Sequence, residues 1–221
     1  MLARRLAVGM ALAAALASVA QVAAAPTMDS AVRYYRSKQY AEAKLALGQI
    51  TAAEPGNAAA CYFLGMSEYR AGGPGSLDRA APWLQKAVKL EPGNETYLAD
   101  FGGVTLECAD AHHSLTEATR GRNAMVQAIS MNPGDLAARD GLLQFYARAP
   151  WPLGDDEKAR AEADAIAARD PKRGARTYAL LGKLLEKKGH RASAHSAYEA
   201  VLKLNPDDPG ATAGLARLSS P

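Results

Sequence analysis

Apolar residues recur every three or four positions in short runs along most of this chain, and polar turns separate the runs at regular intervals. The clearest unit is residues 178–206, YALLGKLLEKKGHRASAHSAYEAVLKLNP, where Gly189 and His190 divide two such runs. That spacing gives each run one apolar stripe when wound as a helix. Gly189 supplies the left-handed backbone that ends the first run, and Pro206 stops the second. Small residues stand at Gly182, Ala194 and Ala200, where two helix backbones must approach. Tyr178, Leu181, Leu185, Tyr198 and Leu202 fill the space between. The pattern predicts a helix hairpin that cannot bury its own apolar face alone.

Proline-centred turns repeat the boundary along the chain: EPGN at 54–57 and again at 91–94, NPGD at 132–135, DPKR at 170–173 and NPDD at 205–208. Each joins a helix stop to an Asn, Asp or basic start for the next helix. Their prolines, 55, 92, 133, 171 and 206, lie 37, 41, 38 and 35 residues apart. Five hairpins follow, with first helices at 27–38, 57–71, 94–108, 135–148 and 174–188. The second helices are expected at 40–53, 77–90, 116–131, 155–169 and 191–204. Pro82 falls inside one of these and is expected to kink it or delay its start. Trp83 and Leu84 after it are expected in the core. Residues 208–219 form a lone terminal helix.

The order aromatic, Leu-Gly, Ala, aromatic, Pro resembles the tetratricopeptide repeat (TPR), whose period is about 34 residues. Its carriers are Tyr178, Leu181, Gly182, Ala194, Tyr198 and Pro206. The resemblance implies an all-α, right-handed α-solenoid of about five TPR hairpins with a C-terminal capping helix, since stacked repeats need a polar cap. The repeats are placed at 24–57, 58–94, 95–134, 135–172 and 173–207, the cap at 208–219, and all of 25–221 forms one domain. The small residue of the Leu-Gly position recurs at Ala31, Gly65, Gly102, Gly141 and Gly182. From there to the closing proline the count is 24, 27, 31, 30 and 24. Three hairpins therefore carry extra residues, and these fall between the helices of each hairpin.

Residues 1–24 have the make-up of a secretory signal peptide. Arg4 and Arg5 open it, residues 6–22 are uncharged, and Ser18-Val19-Ala20 or Val22-Ala23-Ala24 supplies a cleavage site. The expected location is therefore periplasmic or secreted by a bacterial export route, with no stable membrane insertion after cleavage. Without the two leader arginines the 26 basic residues fall to 24, against 23 acidic. With no long basic run, nucleic acid is excluded as an expected partner.

Little in the chain points to catalysis. It holds no nucleophile elbow, no Gly-rich phosphate loop and no HExxH helix, so no enzyme and no cofactor are expected. Cys61 and Cys108 differ by about ten helical positions relative to their repeats, or roughly 15 Å along the axis. A disulfide needs Cα atoms within about 7 Å, so both read as small buried hydrophobes. The segment ECADAHH, 107–113, gathers the ligand-type side chains Cys108, Asp110, His112 and His113 beside Glu107. Its spacing matches no standard zinc motif, so a polar helix end with a loop is expected there, and no metal.

Two surfaces could bind a partner. The resemblance implies a concave groove lined by the first helices, at positions one, four and five after the small residue. Those offsets give Val32, Tyr35 and Arg36; Met66, Tyr69 and Arg70; Leu142, Phe145 and Tyr146; and Lys183, Glu186 and Lys187, with Tyr62 alongside. Aromatic, Met and Arg side chains are enriched in binding hot spots. Such a groove would hold a peptide or protein segment in the cell envelope, with its arginines meeting carbonyls or carboxylates of the bound chain. The other surface is the edge carrying the three enlarged turns, with Pro74, His112, His113, Trp151 and Pro152. Trp151 between prolines is a plausible exposed anchor or a cover for a helix end. That edge supports the alternative of an accessory protein binding a small ligand or metal.

Overall fold

In a computed structural model the described residues, 25–150 and 152–219, form eleven α-helices and no strand. They are α1 Met28–Arg36, α2 Tyr40–Ala53, α3 Ala58–Ala71, α4 Ser76–Leu90, α5 Glu95–His112 and α6 Leu115–Met131. Then follow α7 Leu136–Arg148, α8 Asp156–Arg169, α9 Pro171–Lys188, α10 Arg191–Leu204 and α11 Pro209–Ser219. The leader at 1–24 and Trp151 lie outside the described residues. Among the described helices none is long and apolar enough to cross a membrane.

Consecutive helices pair into five hairpins, and each hairpin packs on the next. The two EPGN turns are built alike. Asn57 and Asn94 each cap the following helix, accepting from Ala60 N and Tyr97 N, and each side-chain amide donates back to Glu54 or Glu91. Capping of this kind satisfies amides that a helix start leaves without partners.

The hairpins close on small residues. A β-carbon at Gly65 would lie 2.8 Å from Leu84 Cγ, and one at Gly182 would lie 2.7 Å from Tyr198 Cε1. Any larger residue there would push the paired helices apart. The other edge of the Tyr198 ring meets Gly214 of α11, so the capping helix docks on the last hairpin by the same device. Three clusters of buried side chains succeed one another along the stack, with a small fourth between the second and third hairpins. The junction between α6 and α7 is the sparsest contact between consecutive hairpins.

Three expectations change. The DPKR turn is not a turn with a helix from 174: α9 begins at Pro171, and Asp170 ends α8 while capping α9 through Arg173 N. Proline at the first helical position gives up an N–H that had no partner anyway. The extra residues of ECADAHH are helix, with only His113 and Ser114 between α5 and α6. Both helices are simply longer, at 18 and 17 residues. Pro82 does not delay α4, which starts at Ser76 and runs through it; the price is a missing N–H donor for the Asp78 carbonyl. Leu84 is fully buried, as expected, while Trp83 is only half-buried.

Candidate functional site

The first helices α3 and α5 line up so that side chains 38 positions apart meet. Tyr62 on α3 donates its hydroxyl to Asp100 on α5 at 2.6 Å, and Tyr69 donates to Glu107 at 2.6 Å. The Tyr62 ring stacks on Tyr97 with centroids 4.5 Å apart, and Arg70 lies over the Tyr69 ring at 5.5 Å. Burial raises the Tyr62 and Tyr69 hydroxyls, the latter to about 12, and the acidic acceptors reinforce the shift. Both phenols therefore stay protonated donors. Burial also raises the Asp100 carboxyl, against the opposing pull of the Tyr62 hydrogen bond and Arg70.

Two adjoining depressions open on this face. One, of about 200 Å³, lies between α5 and α7, with Leu106, Glu107, Asp110, Gln144, Phe145 and Arg148 around it. The other, of about 170 Å³, reaches toward α3 through Tyr69, Arg70 and Asp100. Gly103, Glu107 and Met125 border both. Helix packing does not demand Gly103: a β-carbon there would meet only Met125 Cε, at 3.9 Å. The space left open there is floored by Met125 of α6.

The structure sorts the expected groove residues. Tyr69, Arg70 and Phe145 line the depressions, and Met66, only 2% exposed, lies beneath them. Tyr62 is half-buried between α3 and α5. Tyr35 packs on Tyr40 and Phe63 with Arg70 close by, and Arg36 is exposed at the end of α1. Tyr146 is a correction: it is 7% exposed, in the core, with Lys158 over its ring. Leu142 is likewise core, and Glu186 faces the cap, bonded to Tyr198 and Arg217. Sequence reasoning missed Asp100, Gly103, Leu106, Glu107, Gln144 and Arg148. Three of these carry a readable signal, since Gly103, Leu106 and Glu107 stand one, four and five places after Gly102.

At the insertion edge Pro74 is exposed and its carbonyl accepts from Arg79. His112 bridges two hairpins, with Nε2 3.0 Å from Asp78 and Nδ1 3.0 Å from Glu117. His113 ends α5 with φ +54°, and Pro152 is exposed. The four ligand-type side chains separate: Cys108 is buried, Asp110 borders the depression, His112 is held by carboxylates and His113 caps the helix. Among the described residues no group of three or more His, Cys, Asp or Glu side chains could hold a metal ion. Cys61 and Cys108 are both free and buried. The same edge has a cavity of about 200 Å³ between α4, α5 and α6, bordered by Thr105, whose hydroxyl has no partner among the described residues.

Two family models, both described as tetratricopeptide repeat, match residues 28–95 and 175–208. Comparison with curated proteins finds no match. Solved structures with the same fold include MamA, 21% identical with a TM-score of 0.66, where the alignment covers 81% of this chain and 90% of that one. YrrB, described as a TPR protein with an unusual peptide-binding site, is 17% identical with a TM-score of 0.66 and coverage of 84% and 88%. A tetratricopeptide repeat protein from Parabacteroides merdae is 20% identical, with a TM-score of 0.62 and coverage of 86% and 70%.

Proposed function

The chain is a tetratricopeptide-repeat protein, and from that premise we propose that it is a non-catalytic scaffold holding a peptide or protein segment on its first-helix face. The observation that carries this reading is the pair of adjoining depressions on α3, α5 and α7, joined at Gly103 where packing requires no glycine. A bound segment would set apolar side chains on Met125, Leu106 and Phe145. Glu107, Arg70 and Gln144 are placed to meet its polar groups. A groove built on rigid helices, with Tyr62 and Tyr69 already tied to α5, presents these contacts preorganised, which lowers the cost of ordering them on binding. The partner class also agrees with YrrB, whose description includes a peptide-binding site.

The same proposal places the protein in the cell envelope, on the composition of residues 1–24. Fractionation of cells expressing the full chain, with N-terminal sequencing of the recovered protein, tests this part. An uncleaved cytoplasmic product removes it.

Photo-crosslinking tests the groove. A photoreactive phenylalanine at position 145 is expected to capture a partner segment, whereas the same group in place of Val126, an exposed residue of α6, is not. Equal labelling from both positions, or labelling from position 126 alone, refutes the assignment.

A further inference from the structure

We infer that the cleft between α5 and α7 takes a basic side chain, a lysine or arginine of the bound segment; this rests on the groove reading above. The cleft is apolar in its floor and acidic at its rim. Met125, Leu106 and Phe145 supply a surface for an aliphatic stem, and the open space over Gly103 gives it depth. Lysine and arginine settle their methylenes on such surfaces while keeping the charged head at a polar rim.

The rim provides acceptors with capacity to spare. Glu107 uses Oε1 for the Tyr69 hydroxyl, and no described residue donates to its Oε2. Asp110, one helical turn further along α5, is exposed, and its carboxylate has no hydrogen bond or ion pair to another described residue. Residues three apart on a helix lie on the same face, so the two carboxylates flank one opening. The adjoining depression adds Asp100 and Asp135. Burial raises the Asp100 carboxyl, against the Tyr62 hydrogen bond and Arg70, and the neighbouring Asp135 and Glu95 carboxylates add to the rise.

Two cations, Arg70 and Arg148, stand near these four acids, which leaves the face net acidic. Arg70 lies over the Tyr69 ring, and Arg148 donates to Gln144 at 3.0 Å. An acidic side chain entering the cleft would face Glu107 and Asp110 in like-charge contact, which disfavours binding. A cation would meet complementary charge in a partly desolvated cleft, where hydrogen bonds to ionised groups are strong. This reverses the expectation of arginines receiving carboxylates.

The test is fluorescence anisotropy of the full chain with three labelled peptides, identical except for a central Lys, norleucine or Glu flanked by leucines. The Lys peptide is expected to bind about 10-fold or more tightly than the norleucine peptide, with Glu weakest. The advantage should shrink as salt is raised. It should vanish in the E107Q/D110N protein, where the Lys and norleucine peptides should bind alike; glutamine keeps an acceptor for Tyr69. Equal binding of Lys and norleucine peptides overturns the inference, as does an advantage that survives the double substitution. Gly103→Leu, which fills the cleft, separates the two levels. Loss of all binding in that variant keeps the groove reading even where the basic preference fails. Undiminished binding, or no binding of any peptide to the parent protein, overturns both.

Discussion

Gly102 lies so close to Met125 that a β-carbon on it would fall 2.6 Å from Met125 Cγ and 2.9 Å from the Gly121 carbonyl oxygen. One residue along, a β-carbon on Gly103 would meet nothing nearer than Met125 Cε at 3.9 Å. Adjacent glycines on one helix thus do different things, and alanine substitution should separate them by sign. Gly102→Ala forces α5 and α6 apart and is expected to cost about 1–3 kcal/mol, as overpacking does. Gly103→Ala removes a flexible residue from mid-helix without a clash and should stabilise by about 0.5–1 kcal/mol. Urea denaturation of both variants checks this, and two shifts of the same sign would refute the assignment.

The difference shows what the sequence carries. The recurring small residue marks Gly102, because the second, third and fifth hairpins close at that position and the spacing repeats it. Gly103 has no such mark, since open space leaves no periodic trace. The offsets that point to groove residues hold on α5 but break on α7. There Gly141 packs on Met125 of the preceding hairpin and contacts no side chain of its own second helix within 4 Å. An offset of one residue turns a side chain by about 100°, enough to leave Phe145 at the cleft and send Tyr146 into the core. The proline turns announce hairpin boundaries, but Pro171 serves equally as a stop or as a first helical residue. Asp170 decides between them by capping α9.

The capping helix is tied to the last hairpin through Glu186, which accepts from Arg217 Nε at 2.9 Å and from the Tyr198 hydroxyl at 2.7 Å. These bonds, Arg217 first, hold its carboxyl down at about 2. A carboxylate depressed in the folded state stabilises above its unfolded value near 4.5, and that contribution is lost as pH falls toward 2. Its magnitude is modest, because the side chain remains 26% exposed. Thermal melts should show a smaller loss of stability between those pH values for Glu186→Gln than for the parent. Parallel pH profiles would refute the link.

His112 works with the opposite sign. Its bond to Glu117, with Asp78 adding, raises the imidazole above its ordinary value of 6.5. A histidine raised on folding stabilises below its unfolded value and loses that contribution as pH rises through the folded one. The second and third hairpins should therefore be tied more firmly in mildly acidic solution. His112→Ala is expected to lower the melting temperature below about pH 6.5 and to have little effect well above it. An NMR titration of the ring locates the transition, and a midpoint below that of a free imidazole would contradict the geometry.

Cys61 and Cys108 test how tightly the stack is closed. Burial raises both thiols, and at Cys108 the nearby Glu117, Asp78 and Glu107 carboxylates push it further, to about 11. The thiolate is the form that alkylates, and with Cys108 only 2% exposed, reagent and base can reach it only after α5 opens. Iodoacetamide at neutral pH is therefore expected to leave both cysteines unmodified in the native protein and to label both in urea. Under native conditions labelling through local opening follows the free energy of that opening. Gly102→Ala loosens α5 against α6 directly, whereas Cys61 sits on α3 with its own close contact at Gly65. That variant should accelerate labelling at Cys108 by about tenfold for each 1.4 kcal/mol of local destabilisation, with a smaller change at Cys61. Equal acceleration at both sites would mean that the hairpins open together, and rapid labelling of the parent would show that the α5–α6 interface is not closed.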